Sequence, residues 1–351
     1  MQNKFIINGR EISDKFMPYI IAEISANHNG SLKKAKEIIK AAKETGVNAV
    51  KIQSYTPDTM TINTSKKDFV IQEGIWSGRT LYDLYQEAHT PYEWHAELFQ
   101  YSKKLGITIF SSAFDESAVD LLESLDTPAY KIASFEIVDL PLIKYIARTK
   151  KPLLMSTGMA SFEEIANAID TAKINGNNNI LVFHCISSYP TPTKEANIRA
   201  IKTLKDMFKV EVGLSDHTLS NTASILATSF GAAAIEKHFT LSRDQGGVDS
   251  SFSLEPSEMK ILVNDINDAF HALTSVKNIR SSIENKNKIF RRSIYFVKNI
   301  KKGQKISEMH VKRIRPGFGL DARFYDDVIG KICLKDAVKG ERLTFKHFKK
   351  N

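Results

Sequence analysis

Short apolar runs that alternate with longer amphipathic segments constrain the fold of this chain more than any other feature. Eight runs have the length and composition of buried strands: residues 19–24, 49–53, 107–111, 129–132, 153–156, 180–184, 211–214 and 234–236. Eight such units within about 270 residues predict a (β/α)8 TIM barrel, which typically takes about 250 residues. A doubly wound open sheet is the alternative, but no glycine-rich dinucleotide fingerprint follows the first run.

The composition changes after the last of these units. Residues 278–289 are polar and charged and are interpreted as a linker, which leaves residues 1–277 as the barrel and residues 290–351 as a second domain. Short alternating runs broken by turns predict that the second domain is small and β-rich. Its core is marginal by size alone, so we expect it to pack on the barrel or on a second chain.

Charge and cysteine content narrow the class of protein. From Lys277 onward the chain carries 21 Lys and Arg against 7 Asp and Glu. Such a basic segment can form a solvated face, a surface that binds nucleic acid or a lid over an anionic substrate. Binding to nucleic acid is the least favoured of these interpretations, because no nucleic-acid-binding motif is present. The only cysteines are Cys185 and Cys333, and the sequence has neither a membrane-spanning run nor a signal-peptide core. We therefore expect a cytoplasmic protein without disulfides.

One connection is much longer than the others. Between residues 54 and 90, here called the excursion loop, the chain passes Trp76 and several tyrosines before the next helix begins. A loop of this length in a compact domain is usually functional. We therefore predict that the excursion loop covers the substrate.

The C-terminal ends of the strands carry the chemistry in a barrel, and here nearly every end is polar or charged. His217 and His238 end two successive strand-like runs that one helix-like segment separates. The two imidazoles are therefore expected to lie side by side and to hold one divalent metal ion. Either histidine alone is better explained as a polar cap, but the pair at equivalent strand ends favours a metal site.

Two strand-end lysines, Lys51 and Lys131, predict a site for a phosphate or carboxylate group. Lysine supplies charge, and hydroxyl groups supply directional hydrogen bonds. The hydroxyls at neighbouring strand ends belong to Ser112, Ser134, Ser156 and Ser215. The alternatives for each lysine are a surface residue or a Schiff base. Glu23 and Glu136 are candidate general bases or supports for the metal, and ion pairs with the lysines are an equally good interpretation.

Six motifs together resemble the sialic acid synthase family: AEISANHNGSLKKA at 22–35, KIQSYTPDTMT at 51–61, YKIASFE at 130–136, STGMAS at 156–161, GLSDHT at 213–218 and EKHF at 236–239. The final part of the chain, with IKKGQ and IRPGFG, is similar to the antifreeze-like (SAF) domain of those enzymes. The resemblance implies a barrel enzyme that condenses phosphoenolpyruvate with an amino sugar. It also implies a divalent metal ion (Mn, Mg or Co) and a homodimer with exchanged C-terminal domains.

The resemblance implies roles for individual residues. Phosphoenolpyruvate is expected to be held by Glu23, Lys51, Ser112, Lys131, Ser134, Ser156, Ser187 and Ser215. The sugar is expected to contact Gln53, Tyr189, Asp249 and Arg315, and this arginine is expected to reach the site from the second subunit. The implied metal ligands are His217 and His238. Together with Glu136, the candidate base chosen from its position near a strand end, the predicted catalytic set is Glu23, Glu136, Lys51, Lys131 and Arg315.

Within the family, KIQSYTPDTMT and residues 73–95 resemble the pseudaminic acid branch, which acts on 2,4-diacetamido-2,4,6-trideoxy-L-altrose. Ser112 and Ala113 stand where the neuraminic acid branch usually has Thr and Pro, and Ser187 stands where that branch has Asn. Three alternatives stay open: an N-acetylneuraminic or legionaminic acid synthase, a Schiff-base aldolase, and a carbohydrate-binding module without catalytic activity.

Overall fold

The computed structural model describes residues 4–273 and 282–349. The chain divides into two compact units, Met1–Thr274 and Ser275–Asn351. Of the linker predicted at residues 278–289, the first four residues lie outside the described part. The rest belongs to a 3₁₀ helix, Ser282–Phe290. None of the helices in the described ranges is both long and apolar enough to cross a lipid bilayer.

The first unit begins with an antiparallel hairpin, β1 (Phe5–Ile7) and β2 (Arg10–Ile12), to which the sequence analysis assigned no element. Asn8 and Gly9 form the turn, with φ of 47° and 76°. This is the positive-φ pair that a two-residue hairpin turn requires, and Asn-Gly is the usual sequence for it. The hairpin was overlooked although its turn signal is present in the sequence.

Eight parallel strands close into the predicted barrel, which is confirmed. They are β3 (Tyr19–Glu23), β4 (Ala49–Ser54), β5 (Thr108–Ala113), β6 (Tyr130–Ile132), β7 (Leu153–Ser156), β8 (Ile180–Cys185), β9 (Glu211–Asp216) and β10 (Ala234–His238). β10 pairs with β3, which closes the ring. β5, β9 and β10 run two residues beyond their predicted ends. Polar residues such as Ser112 and Lys237 are buried within these strands, although their polarity had indicated a strand end.

Ten α-helices accompany these strands in the described part of the first unit. They are α1 (Leu32–Thr45), α2 (Pro57–Met60), α3 (Leu81–Ala88), α4 (Tyr92–Leu105), α5 (Glu116–Ser124), α6 (Leu140–Ala147), α7 (Phe162–Ile174), α8 (Ala200–Phe208), α9 (Thr222–Ser229) and α10 (Pro256–Ala272). α1 shows how the sequence sets the bounds. The Ser31 side chain accepts a hydrogen bond from Lys34 N at the start, and Gly46 ends the helix with φ of 93°. α2 and α3 belong to the excursion loop and have no counterpart in other βα connections.

The second unit has a three-stranded antiparallel sheet with β11 (Ser293–Phe296) between β12 (Val311–Ile314) and β13 (Leu320–Asp321). A short helix, α11 (Tyr325–Val328), follows. Ile294, Phe296 and Val311 lie in its own small core. The prediction of a small, β-rich domain agrees with this arrangement, although much of the unit consists of turns and 3₁₀ helices.

The N-terminal hairpin closes the bottom of the barrel interior. Phe5 and Ile7 belong to one buried cluster with Phe110, Leu154 and Phe183 from inside the barrel. Side chains alternate along β1, so Ile7 is fully buried whereas the neighbouring Ile6 is 38% exposed. The hairpin therefore completes the apolar core from below.

We expect Ile7→Ala to lower the free energy of unfolding by about 2–5 kcal/mol, because a fully buried isoleucine is removed from a packed cluster. Ile6→Ala is the matched control and should change it by less than about 1 kcal/mol. Urea unfolding followed by fluorescence measures both. Equal effects of the two substitutions would contradict the role given to the hairpin.

Candidate active site

A cavity opens at the C-terminal ends of the barrel strands. Its wall contains most of the residues predicted for the site, and the full lining is Glu23, Lys51, Gln53, Ser112, Lys131, Ala133, Ser134, Ser156, Cys185, Tyr189, Ser215, His217, Glu236 and His238. Asp249 lies beside this wall, where its Oδ2 is 3.7 Å from His238 Nδ1. The structure therefore brings together the lysines, the hydroxyls and the histidines that the sequence placed at strand ends.

Four buried charges form a network across the cavity. Lys51 Nζ pairs with Glu23 Oε2 and lies 3.5 Å from Glu236 Oε1. Lys131 Nζ lies 2.9 Å from Glu236 Oε2. The sequence analysis predicts no role for Glu236, because the sequence does not show whether Glu236 or the adjacent Lys237 faces the inside of the barrel.

The neighbouring Asp216 and Lys237 have a different task. Lys237 Nζ lies 2.8 Å from Asp216 Oδ2 and donates to the carbonyl oxygens of Thr218 and Ser220 at 2.6 and 3.0 Å. Neither residue lines the cavity, because side chains alternate along β9 and β10 and these two point away from the barrel axis. The pair holds the segment after β9 in place and so supports His217 indirectly.

Burial and ion pairing shift the pKa values of the two carboxyl groups in this network in opposite directions. Burial raises the pKa of Glu23 to about 7, although Lys51 acts against it. Burial acts in the same sense on Glu236, but Lys131 and Lys51 outweigh it and hold the pKa of this carboxyl below its usual range. Glu236 is therefore the fixed negative charge of the site, and Glu23 is the carboxyl that can take up a proton near neutral pH.

The two predicted histidines lie together above this network. Their ring centroids are 5.3 Å apart. His217 Nδ1 donates to the carbonyl oxygen of Ile186 at 2.9 Å, which leaves the lone pair on Nε2. His238 Nδ1 is buried and has no hydrogen-bond partner within the described residues. In residues 4–273 and 282–349 no group of three or more His, Cys, Asp or Glu side chains is arranged to hold a metal ion.

A close approach of three chain segments holds the predicted phosphate-binding hydroxyls. Ser134 Oγ accepts a hydrogen bond from Gly158 N at 3.2 Å. A Cβ atom at Gly158 would overlap with Ser187 Oγ and would lie 2.7 Å from Ser134 Oγ. A side chain at position 158 would therefore displace Ser134, which lines the cavity, and Ser187, which is outside the lining.

The NeuB family model matches residues 38–278, and the SAF domain model matches residues 291–349. The chain belongs to the NeuB family. It is 44% identical over 331 residues to the pseudaminic acid synthase of Campylobacter jejuni, covering 94% of this chain and 96% of that protein. It is also 44% identical over 319 residues to the pseudaminic acid synthase of Helicobacter pylori, covering 91% and 94%. The crystal structure of the Bacillus subtilis spore coat polysaccharide biosynthesis protein spsE superimposes with a TM-score of 0.67 at 31% identity, covering 99% and 100%.

Two residues of the predicted catalytic set do not line the cavity of this NeuB family chain. Glu136 lies in the 3₁₀ helix Phe135–Val138 after β6. Its Oε2 is buried without a hydrogen-bond partner in the described part of the chain, and burial raises its pKa to about 7. Arg315 lies in the second unit, directly after β12, and is exposed. Both assignments stay predictions: Glu136 is chosen as a carboxylate near a strand end, and Arg315 follows from the family resemblance.

We expect Gly158→Ala to weaken phosphoenolpyruvate binding to this NeuB family chain by about tenfold or more, because the new methyl group displaces Ser134 and Ser187. Met159→Ala is the control, since Met159 is the next residue and its side chain is 66% exposed. Calorimetric titration with phosphoenolpyruvate measures both. Equal affinity of the Gly158 variant and the unsubstituted protein would show that these hydroxyls do not hold the ligand.

Proposed function

We propose that the chain is a transferase that condenses phosphoenolpyruvate with 2,4-diacetamido-2,4,6-trideoxy-L-altrose to give pseudaminic acid and phosphate. The observation that carries the proposal is the pair of buried lysines, Lys51 and Lys131, beside two histidines at the mouth of the barrel. The likeness to pseudaminic acid synthases over nearly the whole chain supports the choice of sugar. Cleavage of the C–O bond of phosphoenolpyruvate then releases phosphate.

The network of four buried charges explains how phosphoenolpyruvate would be held. The phosphate and carboxylate of this ligand carry several negative charges, and Lys51 and Lys131 supply positive charge in the cavity wall. Lys51 already donates to Ser112 Oγ at 3.0 Å, so its ammonium group is oriented before the ligand arrives. Glu236 stays between the two ammonium groups and fixes their separation. Preorganised charge of this kind stabilises an anion without rearrangement during the reaction.

We also propose that His217 and His238 hold a divalent metal ion, Mn, Mg or Co. The chemistry of the two side chains fits this role, because in the neutral ring His217 Nε2 carries the lone pair, and His238 Nδ1 is a buried nitrogen without a hydrogen bond among the described residues. With only two protein ligands, the remaining positions would belong to substrate or water. A metal ion held there would supply Lewis-acid chemistry toward the C1 aldehyde of the open-chain sugar, the carbon to which C3 of phosphoenolpyruvate adds.

A carboxylate must then take a proton from the water that adds to C2. Glu23 is occupied, since its Oε1 accepts from Ser25 N at 2.8 Å and its Oε2 pairs with Lys51. Glu136 Oε2 is buried and has no hydrogen-bond partner among the described residues, and burial raises the pKa of Glu136 to about 7. We therefore assign the base to Glu136, two residues after Ser134 of the cavity wall, and the charge balance of Lys51 to Glu23.

The decisive measurement is phosphate release from phosphoenolpyruvate with three sugars: the altrose derivative, N-acetylmannosamine and the diacetamido sugar of legionaminic acid synthases. We expect the altrose derivative to react at least about tenfold faster than either of the others. EDTA should abolish the reaction and Mn²⁺ should restore it. Faster release with N-acetylmannosamine would overturn the choice of sugar, and a lysine adduct trapped by borohydride in EDTA would favour the Schiff-base aldolase.

We further propose a homodimer in the cytoplasm, in which Arg315 of one chain completes the site of the other. Arg315 is exposed and has no ion pair or hydrogen bond among the residues that the structure describes. A guanidinium is suited to bidentate contacts with sugar or amide oxygens. Cys185 and Cys333 are both free thiols, which agrees with a reducing compartment.

Complementation between two inactive variants tests the exchange. Arg315→Ala and His238→Ala, carrying different affinity tags, are expressed separately and together. If Arg315 acts across subunits, the mixed dimer has one barrel with His238 that receives an intact Arg315, and we expect about half of the normal activity per dimer. Activity no higher than that of the separate variants would show that Arg315 acts within its own chain or not at all.

A further inference from the structure

Trp76 of the excursion loop lies next to Tyr189, a residue of the cavity wall. Its Nε1 donates to the carbonyl oxygen of Val248 at 3.2 Å, directly before Asp249. Its ring centroid lies 6.0 Å from that of Tyr189 and 6.5 Å from that of Phe252. The residue is only half-buried, so part of the indole remains accessible to a ligand.

The local backbone structure determines the position of the Trp76 side chain. The backbone of the excursion loop forms a small hairpin around residue 76, with Ile71 N donating to Arg79 O at 2.9 Å and Gly78 N donating to Ile71 O at 2.8 Å. Gly74 and Gly78 flank the tip with φ of 86° each. The two backbone hydrogen bonds and the two glycines in the left-handed region define this turn and so position Trp76.

An aromatic row runs outward from the histidines through Tyr189 to Trp76. The Tyr189 ring centroid lies 4.4 Å from that of His217. A sugar whose aldehyde carbon lies at the histidines would extend along this row, so that its far end meets the indole. The only polar atom of the indole is engaged with Val248, and the ring therefore offers an apolar wall without a hydrogen bond for a hydroxyl group.

We infer that Trp76 is a specificity-determining residue that packs against the far end of the sugar and selects acetamido and methyl groups there over hydroxyl groups. The inference rests on the proposed function and deepens it. In the altrose derivative the far end carries a 4-acetamido group and a C6 methyl group. N-acetylmannosamine carries hydroxyl groups at both positions, and each would lose its hydrogen bonds to water against the indole without gaining another.

The test compares Trp76→Ala and Trp76→Phe with Ile75→Ala, a neighbouring exposed residue at the same tip. Steady-state phosphate release gives the KM of the altrose derivative, the KM of phosphoenolpyruvate and kcat separately. We expect Trp76→Ala to raise the KM of the sugar about tenfold or more, with the KM of phosphoenolpyruvate changed less than about twofold. Trp76→Phe should recover most of the loss, and Ile75→Ala should resemble the unsubstituted protein.

The possible failures are distinguishable. No phosphate release by the unsubstituted protein with any of the three sugars would refute the proposed function. An active protein in which Trp76→Ala leaves the KM of the sugar unchanged would refute the inference alone. Equal losses in Trp76→Ala and Ile75→Ala, or a parallel rise in both Michaelis constants, would also refute it, because the tip would then act only through loop structure.

Discussion

Four buried charges at the mouth of the barrel are the interaction on which the rest of the site depends. Glu23, Lys51, Lys131 and Glu236 are each at most 5% exposed. Moving a charge from water into the protein interior costs roughly several kcal/mol, even after the protein relaxes. Only close opposite charges and hydrogen bonds offset that cost. The four residues come from β3, β4, β6 and β10, so the network exists only when the barrel is closed. Binding chemistry and fold closure are therefore coupled through the same ion pairs.

The same network indicates how an anion can enter a cavity that already contains carboxylates. Glu236 is held ionised by two lysines, whereas burial leaves Glu23 able to accept a proton near pH 7. In the proposed function, a phosphate group that approaches Lys51 would compete with Glu23 for the ammonium group. The carboxyl that loses its partner is the one for which protonation is least costly, so charge can be balanced without moving Glu236.

The sequence predicted the barrel, the histidine pair and the lysine pair because these depend on strand rhythm and on which residues end each strand. It did not identify Glu236, because Glu236 and Lys237 are adjacent and both charged. Only the pleat of β10 decides that Glu236 points inward while Lys237 pairs with Asp216 outside. The predicted strands β5, β9 and β10 end two residues too early, because polar residues were expected to lie beyond the buried part of each strand. The N-terminal hairpin was missed because its strands have only three residues each.

The apolar cluster at the bottom of the barrel, which the N-terminal hairpin completes, is in direct contact with the charged site above it. Lys131 Nζ lies 4.2 Å above the centroid of the Phe183 ring, and Phe183 belongs to the cluster that the hairpin residues Phe5 and Ile7 complete. The aromatic face attracts the ammonium group and at the same time excludes water from beneath it. Because a low local dielectric strengthens the ion pairs above, the packing at the bottom of the barrel contributes to the strength of the ion pairs at its top. The distant hairpin therefore supports the electrostatics of the site as well as the stability of the fold.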